Sequence, residues 1–133
     1  MKINTKIRYS MRMIVCLANA GKMMNTTDLG EQIKVSPKYL RKLAGPLEKA
    51  DILASTQGIH GGYTLARAPA KISMKMIWDA YQETINIAAC VSNHNCGMLK
   101  DCLARPVWER LEKILVDELD RTTIQDIIDR KCI

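Results

Sequence analysis

Ser36-Pro37-Lys38-Tyr39-Leu40-Arg41-Lys42 is the stretch on which the fold of this chain turns. A serine followed by proline is a strong helix start. The hydroxyl can accept from an early backbone N–H, and proline is at ease at the first helical position. Just upstream, Thr26 or Thr27 can cap a short helix carrying Leu29 and Ile33, and Lys34-Val35 supplies a turn. Two short helices across a tight turn are the outline of a helix-turn-helix. Lys38, Tyr39, Arg41 and Lys42 then lie on the first turns of the reading helix. Gly45-Pro46 falls inside that helix, where a proline removes a hydrogen bond and crowds the preceding turn, so a kink or break is expected.

The flanking segments complete the outline. Ile7, Met11, Ile14, Val15 and Ala18 recur at helical spacing and predict a first helix over 6–20, stopped by Gly21. Cys16 lies close to its apolar face and is expected as a small core residue. After the reading helix, Ile52–Gln57 and Tyr63–Ala66 are short extended runs joined by Gly58-Ile59-His60-Gly61-Gly62. The glycines allow a tight turn. A helix-turn-helix followed directly by a hairpin is a winged helix. Ser73 caps a fourth helix with an apolar stripe of Met74, Ile77, Trp78 and Tyr81, and Trp78 is expected in the core.

The stretch 88–104 has little periodicity and is expected as a loop. Pro106 opens a long helix over 106–121, with Val107, Leu111, Ile114, Leu115 and Leu119 on one face. Thr123 and Asp126 can start a short last helix bearing Ile124, Ile127 and Ile128. A long amphipathic helix outside a compact core needs a partner for its stripe: the first helix, a second subunit, or both. A homodimer fits. The expected class is mainly α with a small β-hairpin. The expected partition is a winged-helix unit over 1–83, a cysteine loop over 84–105 and a dimerisation region over 106–133.

At 133 residues the chain can bury a core without disulfides. Its net charge of +6 favours an anionic partner such as nucleic acid. No apolar run approaches the roughly 20 residues that span a bilayer, and the N-terminus lacks the pattern of a signal peptide. The expected location is the cytoplasm, with no membrane partner. Five cysteines there point to metal or redox chemistry rather than structural disulfides. No phosphate loop, nucleotide motif or pair of catalytic acids occurs, so an enzyme is not expected.

Cys90, Cys96 and Cys102 are separated by five residues each. Zinc sites use closer pairs, and three cysteines leave one tetrahedral position open. Wide, equal gaps suit a larger object such as an iron–sulfur cluster, which takes thiolate ligands. Zinc binding and thiol oxidation remain open on spacing alone. Gly97 helps the loop turn, and Lys100 and Arg105 would offset anionic charge beside the thiols.

Together, Tyr39-Leu40, the wing Gly61-Gly62-Tyr63-Thr64-Leu65 and the three-cysteine loop resemble the IscR/NsrR/RirA group of bacterial winged-helix regulators. Lys6-Ile7-Arg8-Tyr9-Ser10 and Thr123-Ile124-Gln125-Asp126-Ile127 also match, so the resemblance runs nearly end to end. It implies a homodimer on a pseudo-palindromic operator of double-stranded DNA. It also implies a 2Fe-2S or 4Fe-4S cluster held by Cys90, Cys96 and Cys102, reporting cluster supply, oxygen or nitric oxide. Some relatives lack the cysteines and answer to a cysteine-biosynthesis enzyme; the intact triplet argues against that route.

Three departures stand out. The histidine that completes the cluster in IscR-like members is here Arg105, which cannot ligate. The acidic N-terminal ligand of NsrR-like members is here Arg8. The fourth ligand is thus unassigned: His94 is the first candidate, and Asp101, Glu109, Cys132, a water or a small thiol are others. An acidic residue of the IscR reading helix aligns with Arg41, which suggests a different operator. The residues expected to meet DNA are Ser36, Lys38, Tyr39, Arg41 and Lys42 from the helix, and Gln57, His60 and Gly61 from the wing. Arg41 can bond two acceptors of a guanine, while Lys38 and Lys42 suit phosphates. The cluster is expected to order 88–104 and so set the long helix and the spacing of two reading heads.

Overall fold

The computed structural model describes residues 2–92, 94 and 96–130. Cys132, one of the candidate ligands, lies outside them. Helix α1 runs Thr5–Ala20, capped by the Asn4 side chain and closed by Gly21 at φ 65°, whose N–H bonds the Leu17 carbonyl. Helix α2 spans Thr26–Ile33. Its cap is Asn25, one residue earlier than expected, with Oδ1 accepting from Asp28 N–H at 2.8 Å. Lys34 in the left-handed region ends it. Helix α3 spans Pro37–Lys49, and Ser36 Oγ accepts from Tyr39 N–H at 3.1 Å.

The expected interruption at Gly45-Pro46 does not occur: α3 passes through Pro46 as one helix. A residue before proline normally avoids helical geometry because its Cβ and N–H meet the ring. Gly45 has no Cβ, which removes part of that clash. The buried face of Leu40, Leu43, Ala44 and Leu47 holds the rest in line.

Strands β1 (Leu53–Thr56) and β2 (Gly62–Leu65) pair antiparallel, with Leu53 opposite Leu65 and Thr56 opposite Gly62. The first is shorter than the expected Ile52–Gln57, and the second keeps the expected length but begins one residue earlier than Tyr63–Ala66. A second ladder fastens this wing to the start of the helix-turn-helix. Met24 N–H bonds the Tyr63 carbonyl at 3.0 Å, and Tyr63 N–H returns to Met24 at 2.9 Å. That approach needs glycine beside it, because a Cβ on Gly62 would stand 2.2 Å from the Met24 oxygen.

A 3₁₀ turn at Pro69–Lys71 leads to α4, Met74–Ala80, capped by Ser73. Trp78 and Ile77 of α4 are buried. The stretch expected to be a loop contains one helical turn, α5, Ala89–Ser92. Helix α6 runs Arg105–Arg121, and α7 spans Ile124–Ile128 behind a reciprocal cap between Thr123 and Asp126. Met74 N–H bonds Thr122 O and Ile124 N–H bonds Ile72 O, both at 2.9 Å. These bonds fold α7 back onto α1.

The core lies between α1, α3 and α4, with Ile7, Ile14, Leu40, Leu47, Ile77 and Ile124 at 0–1 % exposure. Helix α6 joins it only through its C-terminal half, by Leu119 and Leu115. Val107, Trp108, Leu111 and Ile114 are 53, 39, 44 and 53 % exposed. The apolar stripe seen in the sequence is real, and most of it has no cover among the described residues. Gly62→Ala is expected to cost about 2 kcal/mol or more, because the Met24–Tyr63 ladder must open; urea unfolding against the parent protein measures it.

Candidate nucleic-acid interface

The turn between α2 and α3 is tight because α2 carries a glycine where the chain doubles back. A Cβ on Gly30 would meet the Val35 carbonyl oxygen at 2.8 Å. This close approach lets Val35 N–H bond Gly30 O at 3.0 Å and sets α3 across α2. Lys38, Arg41 and Lys42 are exposed along one side of α3, opposite its buried leucines. Ser36 is exposed and its oxygen is engaged by the cap, leaving the hydroxyl proton free to donate.

Tyr39 is half-buried, its ring edge-on to Tyr9 of α1 at 6.0 Å between centroids. The Arg12 guanidinium lies over the Tyr9 ring at 5.0 Å. Tyr9 and Arg12 were not among the residues expected from the sequence to face a ligand. Their three-residue spacing on α1 was legible; the meeting of Tyr9 with Tyr39 was not.

The wing places Gln57 and His60 in solvent. Its tip is Ile59, 96 % exposed and also unforeseen. Gly61 contributes shape rather than a free donor. Its N–H bonds Gly58 O at 3.0 Å, and a Cβ there would stand 2.1 Å from Thr56 O. Glu48 at the end of α3 accepts from Ser55 Oγ at 3.2 Å, which ties wing to helix. Burial raises the Tyr63 hydroxyl pKa; the nearby Glu48 charge adds to this and Arg41 opposes it.

Beneath α3 is a buried relay. Tyr81 OH donates to the Leu43 carbonyl at 2.6 Å. Its oxygen lies 2.6 Å from Ser10 Oγ. The carbonyl can only accept, so the serine donates to tyrosine. Ser10 is the one fully buried polar residue among those described. Burial raises the Tyr81 pKa, with the serine hydrogen bond opposing. This chain of hydroxyls joins α1 and α4 to the middle of α3.

The three loop cysteines are free thiols. Cys90 lies in α5 and is half-buried, Cys96 is exposed, and Cys102 is half-buried just before α6. His94 is exposed at φ 53°. Among the described residues, no three of His, Cys, Asp and Glu are close enough to hold a metal ion. Arg105 is engaged by Glu109 at 2.8 Å, which takes up the cation expected to sit by the thiols and one of the candidate ligands. Glu112 of α6 accepts from Ile87 N–H at 3.1 Å and anchors the segment that enters the loop.

Residues 3–130 match the model of the Rrf2 family, described as iron-dependent transcriptional regulators. The protein rrf2 of Nitratidesulfovibrio vulgaris is 32 % identical over 131 residues, covering 96 % of this chain and 87 % of that one. The solved structure of CymR, the global cysteine regulator of B. subtilis, superposes with a TM-score of 0.80 at 26 % identity and 98 % coverage of both chains. T. potens IscR superposes at 0.74 and 27 % identity, covering 98 % of this chain and 88 % of that one.

Tyr81→Phe is expected to destabilise the protein by about 1–3 kcal/mol, since it strips Ser10 of its acceptor in a buried site. Adding Ser10→Ala should return part of the loss. Urea midpoints of the two single variants and the double variant give the coupling.

Proposed function

The chain belongs to the Rrf2 family of transcriptional regulators, and from that premise we propose that it is a cytoplasmic, homodimeric repressor whose operator affinity is set by an iron–sulfur cluster. The observation that carries the reading is the coexistence of a wing-braced reading helix and three free thiols in the loop that leads directly into α6. Lys38 and Lys42 contact phosphates and Arg41 reads a guanine, with Ser36 and Tyr39 at the helix start. Gln57, His60 and the Gly61 turn follow the adjacent minor groove. Among the described residues, no helix is long and apolar enough to cross a membrane.

Dimerisation is supported by the uncovered face of Val107, Trp108, Leu111 and Ile114. A second copy of α6 covers it in the simplest symmetric way. Two reading heads then face one pseudo-palindromic duplex, and their spacing follows from how the two copies of α6 meet.

The donor set of Cys90, Cys96 and Cys102 suits a 2Fe-2S or 4Fe-4S cluster, because thiolates are the usual ligands of both. The fourth ligand is unassigned, with His94 the first candidate. Such a group, when bound, supplies a redox- and nitric-oxide-sensitive centre. This chain's own part is to draw three thiols together from their separated positions. Doing so constrains 88–104 and, through Glu112 and α6, the packing of α4. Since Tyr81 of α4 bonds the reading helix, a change at the loop has a physical route to the DNA face. The second reading is a cluster-free thiol or zinc regulator. The same three free thiols could serve it.

Anaerobically purified protein is expected to be brown, with matched iron and sulfide, and to lose both in Cys90→Ser, Cys96→Ser or Cys102→Ser. A colourless protein that reconstitutes no cluster would leave the second reading, and a zinc assay would divide its two forms. Arg41→Ala is expected to cost about 1–3 kcal/mol at one operator base pair and to relax preference there. An equal loss on every duplex would assign Arg41 to phosphate instead.

A further inference from the structure

A cleft of about 680 Å³ opens between α1, the C-terminal end of α2 and α7, away from the cysteine loop. Its floor is apolar: Val15 and Ile33 face Ile127 and Ile128. Three cations stand around it, Arg12, Lys34 and Arg130, and no carboxylate lines it among the described residues. None of the three cations has an ion-pair partner among the described residues. Polar groups at the wall are neutral. Cys16 Sγ donates to Gln32 Oε1 at 2.9 Å, and Asn19 offers a second amide. The cysteine expected as a core residue therefore edges a cavity. Its thiol, with a pKa raised by burial, stays a neutral donor there.

Size and lining match what small-molecule sites require: a concave apolar body with a few polar groups that fix orientation. The charge pattern selects the ligand class. Three cations with no ion-pair partner among the described residues, over an aliphatic floor, complement a negative head on an apolar body, and they disfavour cations and neutral polar molecules. We propose that this cleft binds a small organic anion, a carboxylate carrying a short aliphatic chain, and that the bound anion acts on DNA recognition.

The link to DNA is built from the same residues. Arg12 is shared: the guanidinium that borders the cleft also lies over Tyr9, whose ring packs edge-on against Tyr39 at the start of α3. An anion that draws Arg12 into the cleft removes it from Tyr9 and loosens the packing of Tyr39. Lys34 is the left-handed residue that ends α2, inside the turn of the helix-turn-helix. A ligand bonded to Lys34 and Arg130 would bridge that turn to α7. The effect on DNA rests on the DNA-binding reading above. Binding in the cleft does not.

The test uses the full chain, isotope-labelled, with sodium hexanoate as probe and hexan-1-ol and sulfate as controls. Amide shifts in two-dimensional NMR should saturate with hexanoate and cluster at 15–20, 32–34 and 127–130. Neither control should reproduce them. A Lys34→Gln/Arg130→Gln variant with an otherwise parental spectrum should bind hexanoate at least about tenfold more weakly, as expected for lost charge-assisted bonds. No saturable shift overturns the proposal. Shifts confined to Val107, Leu111 and Ile114 overturn it too, since they mark partition onto the exposed face of α6. An equal response to sulfate reduces the cleft to a patch for any anion and also refutes the class. A hexanoate-dependent change in affinity for a selected operator duplex supports the regulatory step. Hexanoate binding without that change refutes the regulatory step alone. A chain that selects no duplex sequence at all would fail the DNA reading while leaving the cleft binding intact.

Discussion

The Leu43 carbonyl is where the helices of this protein are held to one another. It belongs to the reading helix, it is buried, and it accepts the Tyr81 hydroxyl while Ser10 donates to the same tyrosine. A hydrogen bond in a low-dielectric interior is strong, and an unmade one there is costly. Three helices from distant parts of the chain are thereby held in a single arrangement. The aliphatic packing around them is less directional and would tolerate several rotations of α3. The hydroxyl relay tolerates few. It acts just ahead of Pro46, where the helix has lost one of its own bonds, and so supports α3 where it is weakest.

The second constraint is steric. Gly30, Gly61 and Gly62 each stand where a backbone oxygen approaches closer than any Cβ allows. Gly30 sets the turn of the helix-turn-helix, Gly61 closes the wing tip, and Gly62 binds the wing to Met24. These contacts make the reading helix and the wing one rigid head, with Ser55 and Glu48 as a further tie. By contrast, α6 leaves that head through the cysteine loop and buries only its C-terminal half. A rigid head on a partly uncovered lever suits a protein whose input and output lie at opposite ends.

Much of the fold was legible because its signals are local. A serine before a proline, a helical stripe, a glycine-rich turn and a proline opening a long helix each act within a few residues. The helices over 6–20 and 106–121, the start of α3 at Ser36-Pro37, the hairpin and the buried Trp78 follow from such signals. The expected break at Gly45-Pro46 failed because the penalty of an interior proline is local too. Burial of Leu43, Ala44 and Leu47 on either side, with a glycine before the ring, outweighs it. The helical turn holding Cys90 was missed because four residues are too few to display a period.

The sequence by itself determined the elements, their order, the basic side of α3 and the presence of three evenly spaced thiols. These depend on spacing, capping and composition, which are properties of neighbours in the chain. Only the tertiary structure decided that Tyr9 stands beside Tyr39, that Ser10 and Tyr81 hold the reading helix, and that α7 closes a cationic cleft against α1 and α2. Those meetings join residues 30 to more than 100 positions apart. They arise from burying several apolar faces at once, and no local pattern encodes which polar residues that burial brings together.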